Sequence, residues 1–217
     1  MAPKQPTLKR RPNLGQIAYD EIKAMILTGE LEPGERLVLD DLSMSLNLSV
    51  TPIRDALNKL EQEDLIVITP RTSHSVVQLN ATDASDILDL RLMLEMYALE
   101  SAGKSLSQFP VMEFREKFTS AACNDTPKEF IEADNQFHSA ILAMSPNQRL
   151  PRLYSYLQNL IQVISVQAIK VEGRIAHANR EHMDLLDAIA QQNIELAKIR
   201  LKAHFNEMKS VLLYVTR

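Results

Sequence analysis

The chain changes texture near residue 78, and the spacing of apolar residues differs on the two sides. Before it, Leu39, Leu42 and Leu46 recur at intervals of three and four, which is one face of a short helix over 39–46. Asn47 follows, a residue that tolerates the left-handed turn between two helices. Ser49 or Thr51 can cap the next helix, and Pro52 sits in its first turn, where a missing N–H costs little. Ile53, Ala56, Leu57 and Leu60 form its inward face. Leu65–Ile68 and Ser75–Val77 read as two strands, joined by a loop over 69–74.

Beyond 79–82, a short polar linker, glycine nearly vanishes and the pattern is helical to the end. Asp83–Ser101 is apolar on most sides, which predicts a central, largely buried helix. Further helices are expected over Val111–Ala122, from Pro127 to about Met144, and from Pro151 to about Val171. The last two run over about 174–191 and 194–214. Thr126-Pro127-Lys128-Glu129 has the form of a capping box with proline at the first helical position. The fold expected is mainly α: a winged helix-turn-helix over 13–78, then an antiparallel six-helix bundle over 83–217.

A helix that enters a major groove needs short polar and basic side chains in its first turns. Ser49, Thr51, Pro52, Arg54 and Asn58 are the candidates here, with Arg71 and His74 on the wing. The run GELEPGERL, followed by SVTPIRDAL at 49–57, resembles the N-terminal domain of the GntR family of transcription regulators. Two departures leave the DNA sequence it reads open. Val50 stands where the family usually has arginine, and Ser73 stands near the wing glycine.

Composition narrows the remaining choices. The formal net charge of −4 means that DNA affinity has to come from a local face, not from bulk charge. Residues 1–12 form a basic, proline-bearing arm, expected to be a disordered tail, with phosphate contact as its alternative role. No run approaches the ~20 apolar residues of a membrane span, and a single cysteine, Cys123, suits a reducing cytoplasm.

The second informative pattern is Asp134 and His138, four apart on a predicted helix and so on one face. His182 and His204 are equidistant from Asn193, where a turn is predicted. Residues at equal distance from the turn of an antiparallel hairpin sit at similar height, so the two imidazoles can face each other. Together the four would make a His₃Asp site suited to Zn or Ni rather than Ca or Mg. Taken singly, each histidine is more often a surface or core residue than a ligand.

Residues 83–215 also resemble the FCD ligand-binding domain that follows this winged helix in one GntR subfamily. The resemblance implies a metal held by Asp134, His138, His182 and His204, and a small carboxylate effector. It implies that Arg91 faces the effector cavity, with Glu95 beside it; a plain Arg91–Glu95 pair on one helix is the alternative. The expected protein is a homodimeric regulator, a repressor by family habit, on a near-palindromic operator in double-stranded DNA. Two rival readings are a sensor for which the metal is itself the signal, and a metal-dependent hydrolase.

Overall fold

The computed structural model describes residues 13–69, 73–123 and 127–215. The first element is a helix that the apolar pattern did not single out, α1 (Leu14–Thr28). Asn13 caps it, its side chain accepting from the Gln16 N–H, and Gly29 ends it in the left-handed region (φ 77°). Its buried row, Ala18, Ile22 and Ile26, packs on the third helix.

The helix-turn-helix follows as α2 (Leu39–Leu46) and α3 (Val50–Glu61). Asn47 takes the expected left-handed turn (φ 52°). Ser49 occupies the N-cap position of α3, without a side-chain cap hydrogen bond. Three antiparallel strands complete the domain, β1 (Arg36–Leu37), β2 (Ile66–Thr69) and β3 (Ser73–Val76), in the order β1-β3-β2. Thr69, Ser73 and His74, expected in the wing loop, lie in the ladder instead: Thr69 pairs with Ser73, and Ile68 with His74. The strands thus run closer to the wing tip than the apolar runs suggest, because backbone pairing continues past the last buried side chain.

The bundle begins at α4 (Ala81–Ser101), two residues before the predicted start. Asn80 and Asp83 form a reciprocal capping box that draws the linker into the helix. A 3₁₀ turn (Gly103–Gln108) leads to α5 (Val111–Cys123) and α6 (Pro127–Ala143). The single helix expected over 151–171 is two, α7 (Leu150–Ser155) and α8 (Gln158–Ala168). At the break, Tyr156 and Leu157 donate to carbonyls three residues back, which tightens the turn and re-aims α8. A hairpin of α9 (Arg174–Ala190) and α10 (Ile194–Val215) closes the bundle. α10 packs on α4 and α9, α5 on α6 and α9, and α4 on α6.

α4 is not buried on all sides. Leu90, Met93 and Tyr97, at i, i+3 and i+7, are exposed, while Ile87, Leu88, Arg91, Glu95, Ala98 and Leu99 face inward. The two domains have separate cores, but α8 serves both. Val163 is buried in the winged-helix core, and Ile161, Ile164 and Ala168 in the bundle core. Across this junction Asn159 donates to Glu63 (2.9 Å), which Lys23 of the same domain also binds (2.6 Å), and Gln162 Nε2 donates to the Leu27 carbonyl (3.0 Å).

Candidate metal centre and DNA-reading face

Asp134 and His138 lie one turn apart on the inward face of α6, as their spacing requires. His182 on α9 and His204 on α10 meet across the hairpin, their ring centroids 4.7 Å apart. All four side chains are buried, and one potential ligand atom from each lies within 4.8 Å of the others. His182 stacks on Phe118 of α5 (4.4 Å), and Phe137 packs edge-on to both His138 and His182. These apolar walls fix the ring positions.

An outer ring of charge holds the imidazoles in orientation. Glu95 Oε2 lies 2.6 Å from His138 Nδ1, and its other oxygen accepts from Arg91 Nε at 2.9 Å. Glu181 Oε2 lies 2.7 Å from His204 Nδ1, and Arg174 grips that carboxylate through two N–H groups at 2.8 and 3.0 Å. In each case the carboxylate occupies Nδ1 and leaves Nε2 for the centre. This carboxylate–histidine arrangement is the usual outer shell of a metal site.

Inside the ring, satisfaction stops. Asp134 Oδ2, His138 Nε2 and both ring nitrogens of His182 are buried without a well-directed hydrogen bond, Asp134 Oδ1 lying 3.1 Å from His182 Nε2 and 3.5 Å from His138 Nε2. Unpaired buried polar atoms each cost ~1–3 kcal/mol, and so many in one place call for an ion. Three imidazoles and one carboxylate are the donors that borderline divalent metals favour. The residues therefore fit a metal.

Electrostatics agree. Burial alone would raise the Asp134 carboxyl, but His138, His182 and Arg91 together hold it well below its ordinary value. Burial pushes His182 down to about 3 and lowers His204, so both are neutral near pH 7. His138 is raised, because Glu95 and Asp134 outweigh burial and the nearby Arg91. Of the three imidazoles, His138 alone is shifted toward the protonated form. Burial opposes ionisation of Glu181, yet the hydrogen bonds from His204 and Arg174 take it down to about 2.

Arg91 makes the pair with Glu95 on its own helix that was the alternative for it. Its Nε binds Glu95, while Nη2 lies 3.5 Å from Asp134 Oδ2 and is buried without a hydrogen-bond partner. Glu95 is a correction: expected as an effector contact, it has both oxygens engaged by Arg91 and His138. Sequence reasoning missed Glu181 and Arg174. Glu181 immediately precedes His182, but its pairing with His204 is visible only once the hairpin is closed. Tyr154 and Ser165 also bring unpartnered buried oxygens to the bundle interior. His177 is exposed.

On the opposite domain, Ser49, Thr51, Arg54 and Asn58 are exposed on or just before α3. Arg54, Asn58 and His74 line one concave surface between α3 and the sheet, together with Arg36 of β1. Pro52 is a second correction. It is buried, on the 52–56–60 row that faces the domain core, and so cannot reach a groove. Arg71, the arm over 1–12 and Thr126 of the predicted capping box lie outside the described residues.

Residues 86–207 match the FCD domain family, and residues 14–76 match the family described as bacterial regulatory proteins, gntR family. YdhC of Bacillus subtilis, an uncharacterized HTH-type transcriptional regulator, is 29% identical over 194 residues, covering 87% of this chain and 86% of that protein. The HTH-type transcriptional regulator McbR of Escherichia coli is 26% identical over 144 residues, 65% of this chain and 64% of its own length. Among solved structures, E. coli McbR/YncC superposes with a TM-score of 0.73 at 20% identity, covering 94% of this chain and 99% of that one. A structure described as the metal-free FCD domain of TM0439 has a TM-score of 0.57 at 19% identity, covering 63% of this chain and 95% of its own. At these identities the structures show a shared fold.

Proposed function

The chain belongs to the GntR family of bacterial regulators, as a DNA-binding transcription regulator with an FCD domain, and on that premise we propose that a bound metal and a small carboxylate control it. The observation that carries this reading is the cluster of Asp134, His138, His182 and His204, buried and close together, with unpaired atoms at its centre. These four residues hold a divalent transition metal, zinc or nickel by donor type. Bound there, the cation supplies a Lewis-acidic position for an anionic ligand. Arg91, through its unpartnered Nη2, orients the effector's carboxylate, since a buried guanidinium pairs best with such a group.

DNA is read by α3. Arg54 and Asn58 reach base edges in a major groove, Ser49 and Thr51 contact the backbone, and Arg71 and His74 serve the wing. Two copies bind a near-palindromic operator in the cytoplasm. The exposed stripe Leu90–Met93–Tyr97 on α4 is the face through which they pair, because a contiguous apolar row rimmed by polar residues is an interaction surface. The effector prefers one placement of the domains, so it shifts operator affinity by the coupling free energy, typically ~1–3 kcal/mol. Repression relieved by the effector is the expected sign.

Metal analysis of protein purified without chelator or nickel resin tests the centre. About one equivalent per chain, absent in His138→Ala, is the expected result; no metal in either protein would overturn it. Operator binding then separates the two regulatory readings. If metal addition alone changes DNA affinity, the metal is the signal. If small carboxylates change it only in the metal-loaded protein, the effector reading stands.

A further inference from the structure

Neither core packing nor helix stability accounts for Val50, the first residue of α3. Leu39, Leu46, Leu48 and Ile68 are half-buried because they pack on the winged-helix core. Val50 is half-buried too, yet among the described residues it is not one of those packed on that core. A β-branched side chain also adds little to a first helical turn, where proline and acidic residues are the stabilising choices.

Its place on the helix is specific. Val50, Arg54 and Asn58 stand at i, i+4 and i+8, one row along α3, and all three line the concave surface between α3 and the sheet. The row Pro52, Ala56 and Leu60 is turned the other way, into the core. Arg54 and Asn58 are the exposed polar members of the outer row, and Val50 opens it with an isopropyl group.

A recognition helix meets base edges with its N-terminal residues. An apolar side chain set there against guanine, adenine or cytosine would strip water from donors and acceptors and give no hydrogen bond in return. Among the groups that base pairs present in the major groove, the thymine C5-methyl is the apolar one.

We infer that Val50 is a specificity-determining residue that reads the C5-methyl group of an operator thymine. The inference rests on the reading of α3 as the DNA-contacting helix and deepens it. The operator half-site carries a thymine where the first turn of α3 enters the groove, ahead of the base pairs met by Arg54 and Asn58. This contact is made by apolar packing alone, so its effect is modest and does not vary with salt as a phosphate contact would.

Duplexes enriched from a random-sequence pool by the full-length protein supply the operator. Each thymine is then replaced in turn by deoxyuridine, which keeps the hydrogen-bonding edge and lacks only the methyl. The wild-type protein should lose about fourfold in affinity at one thymine of each half-site, the worth of one buried methyl group. Val50→Ala should bind the thymine and deoxyuridine duplexes equally well, with melting temperature and metal content unchanged. If Arg54→Ala binds the operator more weakly but no thymine replacement affects the wild type, α3 keeps its role and Val50 loses the one assigned to it. A loss that persists undiminished in Val50→Ala gives the methyl to another side chain and overturns the inference. If Arg54→Ala binds the operator as tightly as the wild type, the reading of α3 itself fails, and the inference with it.

Discussion

Glu181→Gln isolates the outer shell of the metal centre while leaving every ligand in place. Glu181 holds His204 Nδ1 at 2.7 Å and is itself held by Arg174 at 2.8 and 3.0 Å. The amide has the same shape but no charge. With its oxygen in the place of Oε2 it still accepts from His204 and from one Arg174 N–H, while its NH₂ meets the other Arg174 N–H donor to donor. The His204 ring then loses the negative charge of its partner, and with it part of its basicity and of its hold. Outer-shell losses of this kind cost about 10–100-fold in metal affinity, which is about 1.4–2.7 kcal/mol. Chelator competition at pH 7.5 reads that change directly. Thermal unfolding gives an independent reading. With metal at about 1,000 times the wild-type Kd, binding stabilises the fold by about 4.1 kcal/mol. The same metal concentration should stabilise the variant by only about 1.4–2.7 kcal/mol. Stability without metal, measured in parallel, removes the separate cost of leaving Arg174 with a neutral partner. Unchanged metal affinity would refute the reasoning, because it would mean that His204 does not hold the ion or that Glu181 does not orient it.

Other predictions follow from the same geometry. Arg54→Ala should weaken operator binding by at least about 1–3 kcal/mol with metal content unchanged; a gel-shift titration that shows retained specific binding would remove α3 as the reading helix. Metal-free protein should lose stability as pH falls below 6.5 toward 3, because folded His182 stays neutral to about 3 while the unfolded chain takes up the proton. That one proton contributes a slope of up to about 1.4 kcal/mol per pH unit. His138 acts in the opposite sense, its raised value favouring the folded state below 6.5 and losing that effect as pH rises. Urea midpoints against pH should therefore show a shallower acid limb in His182→Phe; identical slopes would contradict the burial argument. Met93→Arg, on the exposed α4 stripe, should convert a dimer to a monomer in light scattering, and an undiminished dimer would place the interface elsewhere. Gly29→Ala should destabilise by about 1–3 kcal/mol, since the position has φ 77° and an added Cβ would meet Val166 Cγ1 at 2.7 Å. Denaturant unfolding checks this, and a neutral result would mean that the junction of α1 and α8 is not tightly packed.

Much of the protein was legible in its linear order because the relevant physics is local. A 3.6-residue period places Ile53, Ala56, Leu57 and Leu60 on one face of α3 whatever lies beyond, and all four are fully buried. The same period puts Asp134 above His138. Hairpin symmetry about Asn193 brings His182 to His204, since antiparallel helices of equal rise keep equal heights. Asn47 could be read as a left-handed turn from its residue type and neighbours alone.

Only the tertiary structure decided the rest. Pro52 has the composition of a recognition-helix residue, but helix rotation relative to the core turns it inward. Glu95 looked available beside Arg91 until α6 brought His138 Nδ1 to its second oxygen. Glu181 and Arg174 become an outer shell only when α9 and α10 fold together, because an ordinary Glu on an amphipathic helix carries no mark of what it will face. The exposure of Leu90, Met93 and Tyr97 on a helix apolar nearly all round depends on which neighbours cover it. The break after Ser155 and the double service of α8 depend on two cores competing for one helix. Periodicity records which side of an element is apolar; which partner meets that side is settled by long-range packing, and the polar atoms left unpaired there are set by it too.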